Sequence, residues 1–251
     1  MQRNIVITAD GSTTIHLPEW NEQYHSKHGA IQEAYHVFIN RGLRYVLNSE
    51  DFMRNKKPIF ILEIGFGTGL NAFITLLEAE KLHVNINYTG VEGYPVSLNE
   101  VEQLNYTEAL HVTDKNDLFK IMHSVSWEAQ HVIIPQFKLT KQQKLFHQIK
   151  DNDAYTIIYF DAFGARVQPE LWTEAIFKNM FNALKSKGVL VTYSAKGSVR
   201  RAMQAAGFFV ERLPGPLGKR EMLRGIKCDI WFLVFEGECF YLEGKGKRDK
   251  A

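Results

Sequence analysis

The hydrophobic positions fall into short continuous runs, separated by segments whose apolar residues have helical spacing. Residues 58–64 and 154–160 are almost entirely apolar, which is typical of strands buried on both faces. Residues 70–82 follow the first run and carry apolar side chains at helical spacing. Residues 85–92 then form a further apolar run. This alternation of strands and helices predicts an α/β fold with a mostly parallel sheet.

The second half of the chain continues the pattern up to its last two strands. Gly188 is expected to end the helix that Pro169 begins. The last two strands leave no room for a helix between them, so we expect them to be antiparallel. The result is a seven-stranded, mostly parallel sheet with an antiparallel last strand. Its further predicted elements are helices from Pro95, Pro169 and Val199 and strands over residues 188–193, 208–213 and 226–235.

The first 50 residues predict an extension ahead of this sheet. Side chains alternate over residues 4–17 around Asp10-Gly11, a suitable pair for a hairpin turn. A polar segment rich in Tyr, His and Ser then leads into a helix over residues 30–47. We therefore divide the chain into an extension (1–50), a main domain (51–243) and a flexible basic tail (244–251). Residues 107–150 give the weakest signals, including a candidate strand over residues 131–139.

Composition limits the protein class and the compartment. The 251 residues include 45% apolar and 12% aromatic positions, enough to bury the core of one domain. Cys228 and Cys239 match neither a metal-ligand spacing nor a disulfide framework, which favours a reducing, cytoplasmic setting without a metal site. We find no signal peptide and no run of 18 apolar residues, so no membrane contact is expected. Because the net charge is only +2, any nucleic-acid contact must come from local clusters of charge.

Three alternate glycines, Gly65, Gly67 and Gly69, join the first buried strand to its helix. Residues without Cβ allow unusual backbone angles and let a ligand lie against bare backbone. The free N–H groups of the following helix favour an anionic group. A dinucleotide motif would need a third glycine at position 70, where Leu70 stands. The turn therefore indicates either a different nucleotide-like cofactor or a purely structural turn.

Two acidic residues follow buried strands. Glu92 ends the second strand, where α/β nucleotide-binding folds place the carboxylate that accepts both ribose hydroxyls. Asp161 ends the strand over residues 154–160, and ligands of open α/β sheets lie outside the carboxyl ends of strands. Asp161 is therefore expected at the mouth of the cofactor site. Glu92 alone could equally be an exposed acid.

A basic segment lies between the two last predicted strands. It contains Gly and Pro together with Lys219, Arg220, Arg224 and Lys227, and the helix before it opens with Lys196, Arg200 and Arg201. Phosphate contacts determine affinity for RNA, whereas unpaired bases are recognised by stacking. These cations predict either a phosphate-binding face or an ordinary solvated surface.

Several segments resemble known families. Glu63 followed by the three glycines is similar to motif I of the class I S-adenosylmethionine-dependent methyltransferases. Other segments resemble the bacterial methyltransferases that modify the wobble uridine of tRNA, known as one half of the bifunctional enzyme MnmC. The matching segments are Asp10-Gly-Ser, Tyr24-His-Ser-Lys-His-Gly, Glu33-Ala-x-x-Val-Phe38, Glu63-Ile-Gly-Phe-Gly-Thr-Gly-Leu-Asn71, Asp161-Ala-Phe, Gln168-Pro-Glu-Leu-Trp172 and Gly218-Lys-Arg-Glu-Met-Leu223.

The resemblance implies a class I, Rossmann-like fold that uses S-adenosyl-L-methionine to methylate the exocyclic amine of 5-aminomethyl-(2-thio)uridine at tRNA position 34. The anticodon stem-loop of tRNA would be the partner. The implied cofactor-binding residues are Glu63, Gly65, Gly67, Gly69, Asn71, Glu92 and Asp161. The implied substrate or tRNA contacts are Tyr24, His25, Ser26, Phe163, Lys219, Arg220 and Arg224. The bifunctional enzymes carry a following FAD-dependent oxidase, for which this chain is too short, so we expect a stand-alone form supplied with amine by separate upstream enzymes.

Asp161 is the expected catalytic residue. An alkylamine has a pKa of about 10.4 and a free carboxyl group one of about 4, so Asp161 is too weak a base to hold the amine's proton. We expect its carboxylate to orient the amine and to stabilise the positive charge that develops on nitrogen. Two alternatives remain open at this point. One is an aminopropyl transferase of the polyamine-synthase type, and the other is a non-catalytic RNA-binding module.

Overall fold

The computed structural model of the protein describes residues 2–228, 232–235 and 238–241. Thirteen strands lie in these residues. They are β1 (Asn4–Ile7), β2 (Thr13–Leu17), β3 (Glu22–Gln23), β4 (Ile59–Ile64), β5 (Ile86–Glu92), β6 (Gln130–Ile134), β7 (Phe137–Gln143), β8 (Tyr155–Phe160), β9 (Leu184–Thr192), β10 (Phe209–Pro214), β11 (Glu221–Ile226), β12 (Phe232–Phe235) and β13 (Glu238–Tyr241).

The helices cover both faces of the central sheet. In chain order they are α1 (Ala30–Ala34), which continues through a π-helical segment (Tyr35–Leu43) into α2 (Arg44–Leu47), then α3 (Glu50–Asn55), α4 (Leu70–Leu82), α5 (Leu98–Val101), α6 (Tyr106–Ala109), α7 (Asn116–Ser124), α8 (Glu174–Ala183) and α9 (Gly197–Ala205). No helix in the described residues is long and apolar enough to cross a bilayer.

The central sheet has eight strands in the order β10-β11-β9-β8-β4-β5-β7-β6. Strands β4, β5, β7, β8 and β9 are parallel to one another, whereas β11 runs antiparallel to β9 and to β10. The predicted class I arrangement with an antiparallel last strand is therefore confirmed. The single candidate strand over residues 131–139 is in fact two strands, β6 and β7, which pair antiparallel at the edge of the sheet and raise the number of strands from seven to eight.

Alternate residues of the central strands supply two hydrophobic cores, one on each face of the sheet. Ile61 packs on one side with the long N-terminal helix and α4, which contribute Phe38 and Phe73. Leu62 points to the other side and packs with Phe177 of α8. The central strands are buried on both faces, which explains their continuous apolar sequences.

The N-terminal extension folds as predicted into a hairpin followed by a helix. Strands β1 and β2 pair antiparallel across Asp10-Gly11, and β3 adds two further residues. Gly11 has a φ of 82°, a left-handed conformation that glycine adopts without strain. The Asp10 carboxylate accepts the backbone N–H of Gln32 at 3.1 Å and so ties the hairpin to α1.

Three helix boundaries differ from the prediction. Residues Pro169–Trp172 form a separate 3₁₀ turn, and α8 begins only after Thr173. The chain leaves α8 at Ala183 and enters β9, so Gly188 does not end the helix. A Cβ at Gly188 would lie 2.8 Å from the Lys185 carbonyl oxygen, and the glycine instead permits this close backbone approach within β9. Likewise, α5 begins at Leu98 with a Ser97–Glu100 capping box rather than at Pro95.

The partner of β10 is also placed differently. Six residues of β11 pair with β10 over Phe209–Pro214, whereas the prediction placed this partner over residues 226–235. The charged residues Glu221 and Arg224 made the sequence of β11 resemble that of a loop. The predicted strand over 226–235 extends into positions 229–231, which lie outside the described residues. The predicted basic tail, 244–251, lies outside them as well.

Candidate cofactor and active site

The glycine turn between β4 and α4 requires glycine at all three positions. Gly65, Gly67 and Gly69 have φ values of 89°, 49° and 73°, a region that other residues rarely adopt. An added Cβ at Gly65 would lie 2.9 Å from the carbonyl oxygen of Asp161, and one at Gly69 would lie 2.8 Å from His123 Nε2. The turn is thus packed against its neighbours as well as left-handed.

A cavity of about 710 Å³ lies over this turn at the carboxyl ends of the parallel strands. Its lining residues come from the extension, from the glycine turn and from the segments that follow β5, β7 and β8. Of the predicted site residues it contains Tyr24, His25, Gly65, Gly67, Asn71, Glu92, Asp161 and Phe163. The predicted cofactor side and part of the predicted substrate side therefore share one cavity.

One amide holds two carboxylates together at the base of the cavity. Asn71 Nδ2 donates hydrogen bonds to Glu63 Oε1 at 2.9 Å and to Asp161 Oδ2 at 2.8 Å. Burial raises the pKa of Glu63 well above its usual range, and the nearby charge of Asp161 adds to this effect. Burial, assisted by the charge of Glu33, raises the pKa of Asp161 to about 7. The carboxyl group of Asp161 is therefore a much stronger base than a free aspartate.

Glu92 lies on the other side of the turn. Its two carboxylate oxygens accept the backbone N–H groups of Gly67 at 3.0 Å and of Tyr94 at 2.9 Å. A carboxylate oxygen has more than one acceptor site, so both oxygens can still accept a further hydrogen bond from a ligand. The role of Glu92 toward a ribose diol stays a prediction, and this orientation leaves acceptor sites for it.

The aromatic rings of Trp20, Tyr24 and Phe163 form another wall of the cavity. Phe163 makes edge-to-face contacts with Tyr24 at 5.0 Å and with Trp20 at 5.6 Å between ring centroids. Trp172 Nε1 donates to the Phe163 carbonyl oxygen at 2.8 Å, which fixes the backbone beside Asp161. Burial raises the pKa of Tyr24 to about 12, so its hydroxyl is neutral at physiological pH.

His25 belongs to the wall beside the glycine turn. Its ring nitrogens contact Thr14 Oγ1 at 3.0 Å and Thr68 Oγ1 at 3.4 Å. Burial lowers the pKa of His25 to about 4, so the ring is neutral at pH 7. Ser26 does not line the cavity. Its backbone N–H instead donates to Glu33 Oε2 at 3.0 Å.

The structure places the three predicted tRNA-binding cations in three different environments. Arg224 is only 7% exposed, donates to Glu211 Oε2 at 2.6 Å and stacks on Tyr45, so its side chain is engaged inside the fold. Lys219 forms an ion pair with Glu33 and lies over the Tyr193 ring. Arg220 is exposed, so its side chain is free to contact tRNA as predicted from the sequence.

Several cavity residues were missed from the sequence. Trp20 and Arg3 reach the cavity from the extension, and Leu145 and Phe146 follow β7 on the far side of Glu92. Residues 107–150 gave no sequence signal for a cofactor contact, and the structure places the apolar side chains of Leu145 and Phe146 at the cavity. Their position after a parallel strand was the available signal, because ligands bind outside the carboxyl ends of such strands.

These residues fit S-adenosylmethionine, the cofactor that the sequence resemblance implies. Asn71 lines the cavity, and its Oδ1 is a buried acceptor without a hydrogen-bond partner among the described residues. Glu63 Oε2 also lacks a partner of good geometry there, although the Tyr88 hydroxyl lies close to the Glu63 carboxyl group. A ligand ammonium group carries the donors that such acceptors lack. The bare backbone of the glycine turn and the free acceptor sites of Glu92 complete the match. Within the same residues no cluster of three or more metal-ligating side chains occurs.

Comparisons with known proteins bear on the fold and on the class of cofactor. A sequence model of a family described as S-adenosyl-L-methionine-dependent methyltransferase matches residues 135–228. The "tRNA 5-methylaminomethyl-2-thiouridine biosynthesis bifunctional protein MnmC" of Burkholderia thailandensis is 26% identical over 242 residues, which cover 90% of this chain and 35% of that protein. The chain thus spans about a third of the length of the curated relatives it matches.

Solved structures extend the comparison to the fold. The crystal structure of MNMC2 from Aquifex aeolicus is similar with a TM-score of 0.70 and 25% identity, covering 90% of this chain and 70% of that one. Spermidine synthase from Thermotoga maritima shares the fold, with a TM-score of 0.50, 14% identity and coverage of 90% and 69%. Over residues 135–228 the chain matches the S-adenosyl-L-methionine-dependent methyltransferase family, and it is similar to the MnmC proteins over the part of them that it covers.

Proposed function

We propose that this protein transfers the methyl group of S-adenosylmethionine to the exocyclic primary amine of 5-aminomethyl-(2-thio)uridine at the wobble position, 34, of tRNA. The relatives are named for the biosynthesis of 5-methylaminomethyl-2-thiouridine, which is the N-methylated form of that nucleoside. The observation that carries the proposal is the half-buried Asp161 carboxylate, held by Asn71 in a cavity with an aromatic wall. The expected setting is the cytoplasm, where a separate enzyme would generate the amine.

The cofactor half of the cavity would hold S-adenosylmethionine through residues already in position. Glu63 and Asn71 would accept hydrogen bonds from its ammonium group, and Glu92 would accept the ribose hydroxyls. Leu145 and Phe146 would pack against the adenine ring. When bound, this cofactor supplies an electrophilic methyl group on a positively charged sulfur.

Asp161 would act on the nitrogen of the acceptor. The sequence-based expectation assumed a pKa of about 4, but burial raises the pKa of Asp161 to about 7. The difference from an alkylamine narrows from about 6 to about 3 pKa units, so transfer of the ammonium proton to Asp161 becomes far less unfavourable. Asp161 would accept an N–H hydrogen bond, orient the lone pair and take up the proton that the amine must lose.

The aromatic wall suits a base taken out of an RNA loop. Unpaired bases stack on aromatic side chains, and the wobble nucleotide lies in the single-stranded anticodon loop. Phe163 directly follows Asp161 and Ala162 and lies against Tyr24, so a uracil stacked there would have its C5 substituent close to the carboxylate. The partner of this wall would be the anticodon stem-loop of tRNA.

The proposed phosphate contacts come from the exposed cations at the same edge of the sheet. Arg220 precedes β11, and Lys196 and Arg201 follow β9, which places all three at the carboxyl end of the sheet. Lys196 and Arg201 are exposed, as Arg220 is. Exposed cations bind phosphates as a salt-sensitive, sequence-independent contribution to affinity. Arg224 and Lys219 have no part in this set because their side chains are engaged elsewhere.

Aminopropyl transfer to a polyamine is the second candidate, and the acidic lining of the cavity favours it. Glu92, Asp161 and Glu170 line the cavity, and Lys219 is neutralised by Glu33 rather than free to repel a cationic substrate. This function would need decarboxylated S-adenosylmethionine and a free polyamine. Formation of spermidine from that donor and putrescine, measured by mass spectrometry, would support it.

The decisive experiment for the proposed function is nucleoside analysis after methyl transfer. Protein is incubated with methyl-labelled S-adenosylmethionine and tRNA that carries 5-aminomethyl-2-thiouridine, with fully methylated tRNA as the control substrate. The label should appear in 5-methylaminomethyl-2-thiouridine and should be absent with the control. Label in another nucleoside, or none in the presence of bound cofactor, would contradict the proposal. The second outcome would favour a non-catalytic RNA-binding module.

A further inference from the structure

A lysine and a glutamate from distant parts of the chain meet beside Asp161. Glu33 belongs to α1, and Lys219 belongs to the turn between β10 and β11. Lys219 Nζ lies 2.5 Å from Glu33 Oε1 and 3.9 Å from the centroid of the Tyr193 ring. The Tyr193 hydroxyl donates to the Ala162 carbonyl oxygen at 2.8 Å, next to Asp161 in the chain. Glu33, Lys219 and Tyr193 thus bring three elements of the fold to the segment that contains Asp161.

The Glu33–Lys219 ion pair is held in place by its neighbours in the fold. The Glu33 side chain is 9% exposed and that of Lys219 is 32% exposed. The second Glu33 oxygen accepts the Ser26 backbone N–H at 3.0 Å. Gly218, with a φ of 81°, turns the chain so that Lys219 reaches inward, and a Cβ there would lie 2.5 Å from the His28 ring. The pair is held from both sides, unlike a surface ion pair between two mobile side chains.

The groups around Asp161 act in opposite directions on its charge. Burial is the largest influence on its pKa, which rises to about 7, and the negative charge of Glu33 acts in the same direction. The hydrogen bond from Asn71 and the positive charge of Lys219 oppose that rise. Glu63 also faces Asp161 through the shared Asn71 amide. Burial raises the pKa values of Tyr88 and Tyr193 well above the usual range, so both hydroxyls are neutral.

We propose that Lys219 is a positioning residue of the active site, which together with Glu33 sets how readily Asp161 holds a proton while the substrate amine is methylated. Lys219 is the only group of this set with a full positive charge, and it favours the carboxylate form of Asp161. That form is needed to accept the N–H hydrogen bond and the amine proton. The inference rests on the proposed function and assigns Lys219 to the chemistry instead of to tRNA phosphate.

The first test measures Asp161 directly and needs no substrate. The ¹³Cγ signal of Asp161, assigned by its loss in Asp161→Asn, is titrated by NMR in the unliganded protein. Lys219→Met should raise its titration midpoint by about one pH unit, and Lys219→Arg should restore the midpoint. Glu33→Gln should lower the midpoint, because it removes a negative charge. An unchanged midpoint in both Lys219→Met and Glu33→Gln would overturn the inference.

The second test follows single-turnover methylation against pH at saturating tRNA. Lys219→Met should shift the acidic limb of the pH–rate profile to higher pH by about one unit. Below the midpoint of that limb, the variant should therefore be about tenfold slower than the wild-type protein. Lys81→Met is the matched control, since Lys81 also pairs with a buried glutamate, Glu78 at 3.6 Å, at the far end of α4. It should leave the pH profile unchanged.

The possible outcomes separate the inference from the proposed function. A Lys219→Met variant that slows methylation equally at every pH, or that only weakens tRNA binding, would contradict a role toward Asp161. If Lys219→Met fails to fold, the Asp161 titration midpoint in Glu33→Gln still tests the inference, because that midpoint is expected to fall. Absence of tRNA methylation by the wild-type protein would refute the proposed function, while the NMR titration would still test the electrostatic link.

Discussion

The two sides of the cavity are built in different ways. The cofactor side comes largely from one stretch, Glu63 to Asn71, supported by Glu92 at the end of the neighbouring strand. The acceptor side combines Trp20 and Tyr24 of the extension with residues that follow β8, and Tyr193 and Lys219 pack behind it. A local motif of strand, glycine turn and helix fixes the first side, whereas long-range packing fixes the second. Substitutions that disturb the backbone of the glycine turn should therefore weaken cofactor binding most. Substitutions of side chains on the other side should mainly weaken binding or methylation of the acceptor.

The largest expected effect is on the cofactor side. Gly65→Ala would place a Cβ 2.9 Å from the Asp161 carbonyl oxygen in a left-handed conformation, so we expect cofactor binding to be lost in calorimetry. Gly11→Ala is the matched control, because Gly11 has a φ of 82° but no atom within 4 Å of an added Cβ. It should retain cofactor affinity. Normal affinity in Gly65→Ala would mean that the turn is not the binding element.

Asp161→Ala should give the next largest effect. Removal of one preorganised electrostatic group costs about a hundredfold or more in turnover, while cofactor affinity should change little. Single-turnover methylation and calorimetry measure the two quantities separately. Asp161→Asn keeps the shape and a hydrogen-bond acceptor but cannot take a proton, so it should also be slow. Methylation at the wild-type rate by either variant would remove Asp161 from the mechanism.

Substitution of Phe163 tests the acceptor side. Stacking of one base on an aromatic side chain contributes about 1–3 kcal/mol, so Phe163→Leu should weaken tRNA binding by about 5- to 150-fold. Phe163→Tyr keeps the ring and should retain most of the affinity. Cofactor binding should be unchanged in both variants, as checked by the same calorimetry. Equal tRNA affinities for Leu and Tyr at this position would exclude a stacking role.

The smallest expected effect separates two neighbouring arginines. Arg220→Met removes one exposed cation and should reduce the slope of log affinity for tRNA against log salt by about 0.7, with stability unchanged. Arg224→Met should leave that slope unchanged but lower the free energy of unfolding by about 1.5–3 kcal/mol, because it removes a buried charged hydrogen bond. A reduced salt slope in Arg224→Met with an unchanged free energy of unfolding would instead indicate that Arg224 contacts RNA.

The sequence was sufficient where the determinants are close together in the chain. The run of strand, glycines and amphipathic helix over residues 58–82 and the hairpin at Asp10-Gly11 both depend on local chemistry. The ends of β5 and β8 were also predictable, because continuous apolar runs end there. These features fixed the fold class and the cofactor half of the cavity.

The sequence was insufficient where partners are far apart. Lys219 and Glu33 are 186 positions apart, and Arg224 meets the Arg41 carbonyl oxygen across 183 positions. A basic pattern cannot distinguish a solvated cation from one paired inside the fold. The turn between β6 and β7 was overlooked for a different reason, since residues 131–139 were taken as one strand and the apolar signal of β6 is weak.

A crystal structure with bound S-adenosylhomocysteine would test the central claim most directly. The ribose should lie on Glu92, the amino group should lie near Glu63 and Asn71, and the sulfur should face the Asp161 carboxylate across the space left for the acceptor amine. A ligand bound outside the 710 Å³ cavity, or one whose sulfur points away from Asp161, would contradict the account.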